Sequence, residues 1–174
     1  PKVDIEGKYK ILYQPDYQEP GTITIQEEGE THLFALNKAV VSHCLFEAYV
    51  NPPESVKTPM FCFEYEADYC ISTTEENDES RLPLPNGELF LLVPQYPTID
   101  WLQLAGFSQK SEPNEDLLPD GMMGKVYYFS HTDAEFEVVI LEAEATRLRA
   151  KITGNGTDEG DYTFEIDAWF VIES

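Results

Sequence analysis

A segment of alternating apolar and acidic residues offers a row of carboxylates that could recognise a cationic partner. In Met60–Ser72, the acids Glu64, Glu66 and Asp68 occupy every second position. Successive side chains of a β-strand point to opposite faces, so the three carboxylates would be spaced about 6.6 Å apart in one outward row. The opposite face would hold Phe61, Phe63, Tyr65, Ala67 and Tyr69.

The last segment of the chain repeats this pattern. In Tyr162–Ile172, Glu165, Asp167 and Trp169 alternate with Phe164, Ile166 and Ala168. Acids on an outward face could steer a basic partner towards it, and a tryptophan could supply the aromatic anchor that interfaces favour. We therefore predict one partner-binding face that contains Glu64, Glu66, Asp68, Glu165, Asp167 and Trp169.

The overall charge restricts the kind of partner. The 174 residues include 33 Asp and Glu but 11 Lys and Arg, which gives a net charge of −22. Nucleic acids and anionic membrane surfaces are disfavoured, because both are bound through Lys and Arg. The hypothesis that follows is a non-enzymatic module for a basic protein, such as an inhibitor or immunity protein. The competing interpretation is that the acids only keep an exposed sheet face hydrated.

Motifs for catalysis, cofactors or metals are not recognisable in the sequence. It has no serine nucleophile elbow, metalloprotease helix or phosphate-binding glycine loop, so we expect neither an enzyme nor a cofactor. Asn155–Asp161 begins like a calcium loop, but Ile166 occupies the position of the closing glutamate. Its flanks also alternate like strands. We therefore predict a hairpin loop there and no metal site.

Aromatic residues near turns and prolines suggest an alternative function. Tyr13, Tyr17, Tyr96 and Trp101 lie in such positions, where a glycan-binding domain would place stacking platforms. The same residues would equally serve as lids over an apolar core. The alternative hypothesis is therefore an extracytoplasmic domain that binds a glycan or another small ligand.

The elements that would position these residues are mostly strands. Alternation and β-forming residues predict about nine to ten strands, with at most one or two short helices. The one segment that fits either a helix or a strand is Ala39–Val50, for which we predict a strand, separate from the strand predicted at Thr31–Leu36. Short strands between regular turns are typical of an antiparallel β-sandwich or a flattened barrel. We predict one such domain over residues 1–174.

Hydropathy and cysteine content bear on the compartment. Every apolar run is interrupted too early to cross a membrane, so we expect no membrane insertion. No signal peptide is recognisable, which slightly favours the cytoplasm. The chain begins at Pro1 and not at Met, however, so removal of an N-terminal leader stays an open alternative. Cys62 and Cys70 lie about 26 Å apart along one strand, too far for a disulfide. Cys44 could reach either of them, although reduced thiols are the simpler expectation.

Overall fold

The computed structural model describes residues 5–6, 9–11, 20–51, 54–74, 82–92, 100–112, 124–156 and 162–173. Strands dominate this part of the chain, which confirms the all-β prediction. A single 3-10 turn occurs within it, at Trp101–Gln103. The strands are β1 (Ile5–Glu6), β2 (Tyr9–Ile11), β3 (Gly21–Glu27), β4 (Glu30–Asn51), β5 (Glu54–Thr73), β6 (Asn86–Leu92), β7 (Ser108–Lys110), β8 (Gly124–Tyr128), β9 (Ser130–Ala143), β10 (Arg147–Gly156) and β11 (Thr163–Glu173).

The sheet closes on itself. Its ring runs β3-β4-β5-β6-β8-β9-β10-β11, and β11 pairs with β3 to complete it. Neighbours in the ring are antiparallel, and each follows its predecessor along the chain apart from the insertion of β7. The short β7 pairs with β9 next to the stretch that β8 covers. Of the two predicted architectures, these pairings therefore correspond to the barrel.

The segment whose type the sequence left open is part of one long strand. Ala39–Val50 belongs to β4, which also contains the separately predicted strand Thr31–Leu36. The pairing of β4 with β5 has register irregularities between Leu33 and Lys38. Beyond them, Val40–Ser42 also lies parallel to the end of β11. β4 therefore changes its neighbour from β3 to β11 along its length, which explains why the sequence resembles two strands.

Large apolar side chains fill the inside of the barrel. Inward positions alternate with outward ones along β5, β9, β10 and β11, as the two-residue period of a strand requires. Phe63 and Phe170 meet edge to face, with ring centroids 5.2 Å apart. Truncating such a buried phenylalanine to alanine costs about 3 to 5 kcal/mol. The residues with no contact to solvent include Phe34, Phe63, Phe170, Leu89, Ile140 and Ile166. Side chains available to a partner must consequently lie on the outer wall or at the ends of the barrel.

A glycine allows β3 to approach β11 closely. Gly21 has a φ of +154°, and a Cβ atom there would lie 2.1 Å from the carbonyl oxygen of Asp167. Any larger residue would therefore push the two strands apart.

Candidate functional site

The acids of β5 lie on the outer wall of the barrel. The carboxylates of Glu66 and Asp68 are exposed, and that of Glu64 is partly exposed, with 37% of its side-chain surface open. The residues between them, Phe63, Tyr65 and Ala67, are buried in the core. The row is therefore produced by the alternation of the strand and is anchored by the core behind it.

Strand β6 adds a fourth acid to this row. Glu88 is exposed and lies directly opposite Glu64 in the β5–β6 register. Like charges in directly opposite cross-strand positions destabilise a sheet. Glu88 was not among the predicted site residues, because the sequence does not give the register that brings β6 beside β5. We refer to Glu64, Glu66, Asp68 and Glu88 as the acidic wall.

One lysine from the neighbouring strand reaches into the acidic wall. The Nζ atom of Lys38 on β4 donates a hydrogen bond of 2.9 Å to Oε2 of Glu64. The pKa of Lys38 is raised, first by this hydrogen bond and by the charge of Glu64, and further by Glu66 and Glu173. Within the described part of the chain, Glu66, Asp68 and Glu88 form no such ion pair. The acidic wall therefore has more carboxylates than cations to pair with them.

An open cavity of about 480 Å³ lies over the acidic wall. Glu64, Glu66 and Glu88 line it, and Lys38 and Lys125 come from the two flanking strands, β4 and β8. It is a concave surface on which three carboxylates and two lysines converge.

The acids of β11 have a different environment. Arginine and lysine side chains from β10 stand beside each of them on the outer wall. Lys151 Nζ lies 2.9 Å from Glu165 Oε1, and Arg149 Nε lies 3.3 Å from Asp167 Oδ1. The guanidinium of Arg147 lies over the ring of Trp169, 4.0 Å from its centroid. We refer to Glu165, Asp167 and Trp169, together with Arg147, Arg149, Lys151 and the further acids that these cations bind, as the paired wall.

The cations of the paired wall also bind acids of β9 and of the turn that follows it. Arg149 Nη1 lies 3.3 Å from Glu142 Oε2, and Arg147 Nε lies 2.8 Å from Glu144 Oε2. Hydrogen bonds to Asp167 and Glu142 raise the pKa of Arg149. Three cations thus face four carboxylates here, so the paired wall is close to neutral.

The six predicted residues therefore lie outward in two groups. At their closest level, Glu64 pairs with Val40 on β4, and Val40 pairs with Val171 at the end of β11. Two strand spacings separate the rows at this level, or about 10 Å. Further along, both β3 and β4 stand between them. The structure thus brings Glu64, Glu66 and Asp68 together with Glu88, and Glu165, Asp167 and Trp169 together with the cations of β10.

A second groove, of about 640 Å³, lies over the outer faces of β3, β10 and β11. Its outward side chains are almost all uncharged hydrogen-bonding groups. In register they form two rows of three, with Thr163 and Glu165 in the middle positions. The six are Thr24, Gln26, Thr153, Asn155, Thr163 and Glu165.

A cluster of potential metal ligands lies near the turn that joins β3 to β4. It consists of Glu27, Glu30 and His32, whose ligand atoms all lie within 4.8 Å of one another. His32 is fully buried, whereas the two carboxylates are partly exposed. This cluster was not among the predicted sites. The spacing Glu-Glu-Gly-Glu-Thr-His contains a signal, because a two-residue turn places Glu27 opposite Glu30 and on the face of His32.

The remaining predicted positions are those of the calcium-like loop and of the four aromatic residues near turns and prolines. Asn155 and Gly156 end β10, and the rest of the calcium-like loop lies outside the described residues, as do Tyr13, Tyr17 and Tyr96. Trp101 packs on Phe61 of the core, with ring centroids 5.4 Å apart. Its position is that of a lid over the barrel interior.

The three cysteines, Cys44, Cys62 and Cys70, are free thiols. Burial, and to a smaller extent the charges of Glu64 and Glu88, raise the pKa of the Cys62 thiol to about 12. The negative field of the acidic wall thus acts on an ionisable group in the same strand.

Comparisons of the chain with protein-family models, with curated proteins and with solved structures give no match. Among the described residues, none of the helical segments is long and apolar enough to cross a lipid bilayer. Any function assigned to the chain therefore rests on its own geometry and charge.

Proposed function

We propose that the chain is a non-enzymatic binding domain that engages a positively charged protein through the acidic wall. An inhibitor or immunity protein that covers the basic surface of a nucleic-acid-directed protein is the type of molecule that fits this charge. The observation that carries the proposal is the cross-strand pair Glu64–Glu88, continued by Glu66 and Asp68.

The pair Glu64–Glu88 makes the free domain less stable. Two carboxylates opposite each other in a sheet repel, at a cost of tenths of a kcal/mol. Lys38, which is hydrogen-bonded to Glu64, and Lys125, which lies opposite Glu88 on β8, offset only part of this repulsion, because two cations face the four carboxylates of the acidic wall. A lysine or arginine of a partner would remove the remaining repulsion on binding. Complementary charges of this kind increase the association rate and the selectivity for basic partners.

The shape of the acidic wall agrees with this role. The cavity over Glu64, Glu66 and Glu88 holds about 480 Å³. A guanidinium group suits this geometry, because its planar set of N–H donors can donate hydrogen bonds to two carboxylates at once. We therefore propose that an arginine of the partner binds in this cavity, over the outer face of the paired strands β5 and β6.

The paired wall is not part of the proposed contact. Glu165 and Asp167 already have Lys151 and Arg149 beside them, and Arg147 covers Trp169. A basic partner would have to displace these cations before it could bind. The proposal therefore keeps Glu64, Glu66 and Asp68 of the predicted face, adds Glu88, and leaves the β11 residues out.

The test is a titration of the protein with a synthetic deca-arginine peptide, followed by isothermal calorimetry at low and high salt. The variant E64Q/E66Q/D68N/E88Q should bind at least about tenfold more weakly than the unmodified chain, a loss of about 1.4 kcal/mol. Raising the salt concentration should weaken the binding of the unmodified chain, because exposed charges are screened.

The matched control is E142Q/E144Q/E165Q/D167N, which removes the same number of charges from the paired wall. It should keep most of the affinity. Equal losses in the two variants would show that only the net charge matters, and the proposal would be abandoned. Circular dichroism of both variants checks that they are folded.

A second candidate function rests on the uncharged groove over β3, β10 and β11. Threonine, glutamine and asparagine side chains in two rows provide hydrogen bonds suited to a neutral, hydroxyl-rich ligand such as a sugar. Binding of this type should be insensitive to salt, which separates it from the first candidate. A screen against neutral oligosaccharides, with T24V/T163V as the variant expected to lose binding, tests it.

A further inference from the structure

The strongest feature that the proposed function does not use is the cluster at the β3–β4 turn. Oε2 of Glu27 lies 2.9 Å from Nε2 of His32, and Oε2 of Glu30 lies 3.6 Å from the same nitrogen. These atoms belong to a single hairpin, and the cluster is on a different part of the barrel from the acidic wall. Its role can therefore be tested separately.

The register of the hairpin forces the two carboxylates together. Glu27 and Glu30 are directly opposite each other, and the turn between them consists of Glu28 and Gly29. Gly29 has a φ of +73°, which such a tight turn requires and which other residues rarely adopt. Two carboxylates held opposite each other repel, and a cation between them would remove this repulsion. The imidazole of His32 faces the same position.

The buried histidine is oriented from behind. Its Nδ1 atom lies 2.6 Å from Oγ1 of Thr73 on β5, and its side chain has no exposed surface. If Nδ1 donates its proton to Thr73, Nε2 presents a lone pair towards Glu27 and Glu30. Metal-binding histidines characteristically donate their other ring N–H to an oxygen in this way. Glu27 is held as well, because the hydroxyl of Tyr128 donates a 3.2 Å hydrogen bond to it.

The distances suit a single small ion. An ion bound at about 2.0 to 2.2 Å from nitrogen and oxygen ligands places those ligands about 3 to 3.5 Å apart. The two separations from Nε2, 2.9 and 3.6 Å, lie close to this range, and all three ligand atoms lie within 4.8 Å of one another. The imidazole nitrogen favours Zn²⁺, Co²⁺ and related metals over Ca²⁺ and Mg²⁺, which prefer oxygen ligands alone.

We propose that Glu27, Glu30 and His32 bind one divalent transition-metal ion. The three protein ligands leave a further coordination position for water, and the partly exposed carboxylates provide the path by which the ion enters. This site goes beyond the proposed function and does not depend on it.

The test uses the full chain, treated with EDTA and titrated with CoCl₂ or ZnCl₂ in a calorimeter. One ion per chain is expected. In NMR spectra of the histidine ring nitrogens, the resonance of His32 Nε2 should shift on addition of Zn²⁺. The variant E30Q should weaken binding at least about tenfold, and T73V, which removes the support behind the histidine, should weaken it about tenfold.

The matched control is E64Q/E88Q, which removes a cross-strand carboxylate pair that has no histidine. It should bind the ion as the unmodified chain does. The proposal is wrong if no saturable binding occurs, if E64Q/E88Q loses as much affinity as E30Q, or if Ca²⁺ competes equally with Zn²⁺. It is also wrong if the ion binds without moving the His32 resonance, a measurement that needs no variant.

Discussion

The acidic wall and the paired wall contain similar rows of acids on similar strands, yet their surroundings make them different surfaces. On the paired wall, Lys151 and Arg149 lie within 3.3 Å of Glu165 and Asp167. On the acidic wall, Glu64 has Lys38 on one side and another acid, Glu88, on the other. An acidic strand is consequently informative about binding only when the strand beside it is known.

The difference also separates two uses of charge. Ion pairs on an exposed wall contribute little to stability individually, but they neutralise the surface and leave few charges for a partner. Uncompensated acids reduce the stability of the free domain and increase its attraction for cations. The two walls thus represent the structural and the functional interpretation of the same sequence pattern.

The largest change is expected from reversing the central cation of the paired wall. Arg149→Glu would place a third carboxylate beside Glu142 and Asp167, to both of which Arg149 now donates hydrogen bonds. We expect the melting temperature to fall by about 5 °C, measured by differential scanning calorimetry. The decrease should be smaller in 1 M NaCl, where the Debye length is about 3 Å. An unchanged melting temperature would mean that the paired wall is not held by these charges.

The opposite change on the acidic wall should have a smaller effect of opposite sign. In a Lys125→Gln background, which removes the lysine opposite position 88 on β8, Glu88→Lys replaces the repulsive pair with Glu64 by an attractive one. The free energy of unfolding should increase by about 0.5 kcal/mol, as measured by urea denaturation. Glu88→Gln, which removes the repulsion without adding an attraction, should give an intermediate value. A less stable Glu88→Lys variant would show that Glu64 and Glu88 do not repel in the folded state.

The smallest expected effect is on the reactivity of Cys62, the thiol beside the acidic wall. In a C44S/C70S background, Cys62 should react slowly with iodoacetamide at pH 8, because a pKa of about 12 leaves little thiolate. Adding E64Q/E88Q should accelerate the reaction by no more than a few-fold, because burial is the main cause of the raised pKa and the two carboxylates are secondary. A reaction rate that is the same with and without these carboxylates would indicate that their charges do not affect the Cys62 thiol. Circular dichroism confirms that the variant is folded.

The fold was predictable from the sequence as far as local patterns reach. The alternation in Met60–Ser72 and Tyr162–Ile172 correctly predicts strands with one buried and one outward face, because side-chain direction depends only on position along a strand. Ala39–Val50 was correctly predicted as a strand from its β-branched residues. The union of this segment with Thr31–Leu36 was missed, because the irregular register between Leu33 and Lys38 is set by the neighbouring strands.

The candidate site was predictable only in part. Which residues point outward follows from alternation, but which of them meet depends on pairings between distant segments. The pair Glu64–Glu88 and the cations of β10 beside β11 both come from such pairings. The cluster of Glu27, Glu30 and His32 is local, and the two-residue turn between Glu27 and Glu30 is enough to place the three residues on one face.

The most direct test of the central claim is to locate the binding surface by NMR. The ¹⁵N-labelled protein would be titrated with the deca-arginine peptide at low salt, and the amide shifts of the two walls compared. We predict the largest shifts in β5 and β6, around Glu64 to Asp68 and Glu88, and small shifts in β10 and β11. Larger shifts at Glu165 and Asp167, or equal shifts at both walls, would contradict the distinction on which the proposed function rests.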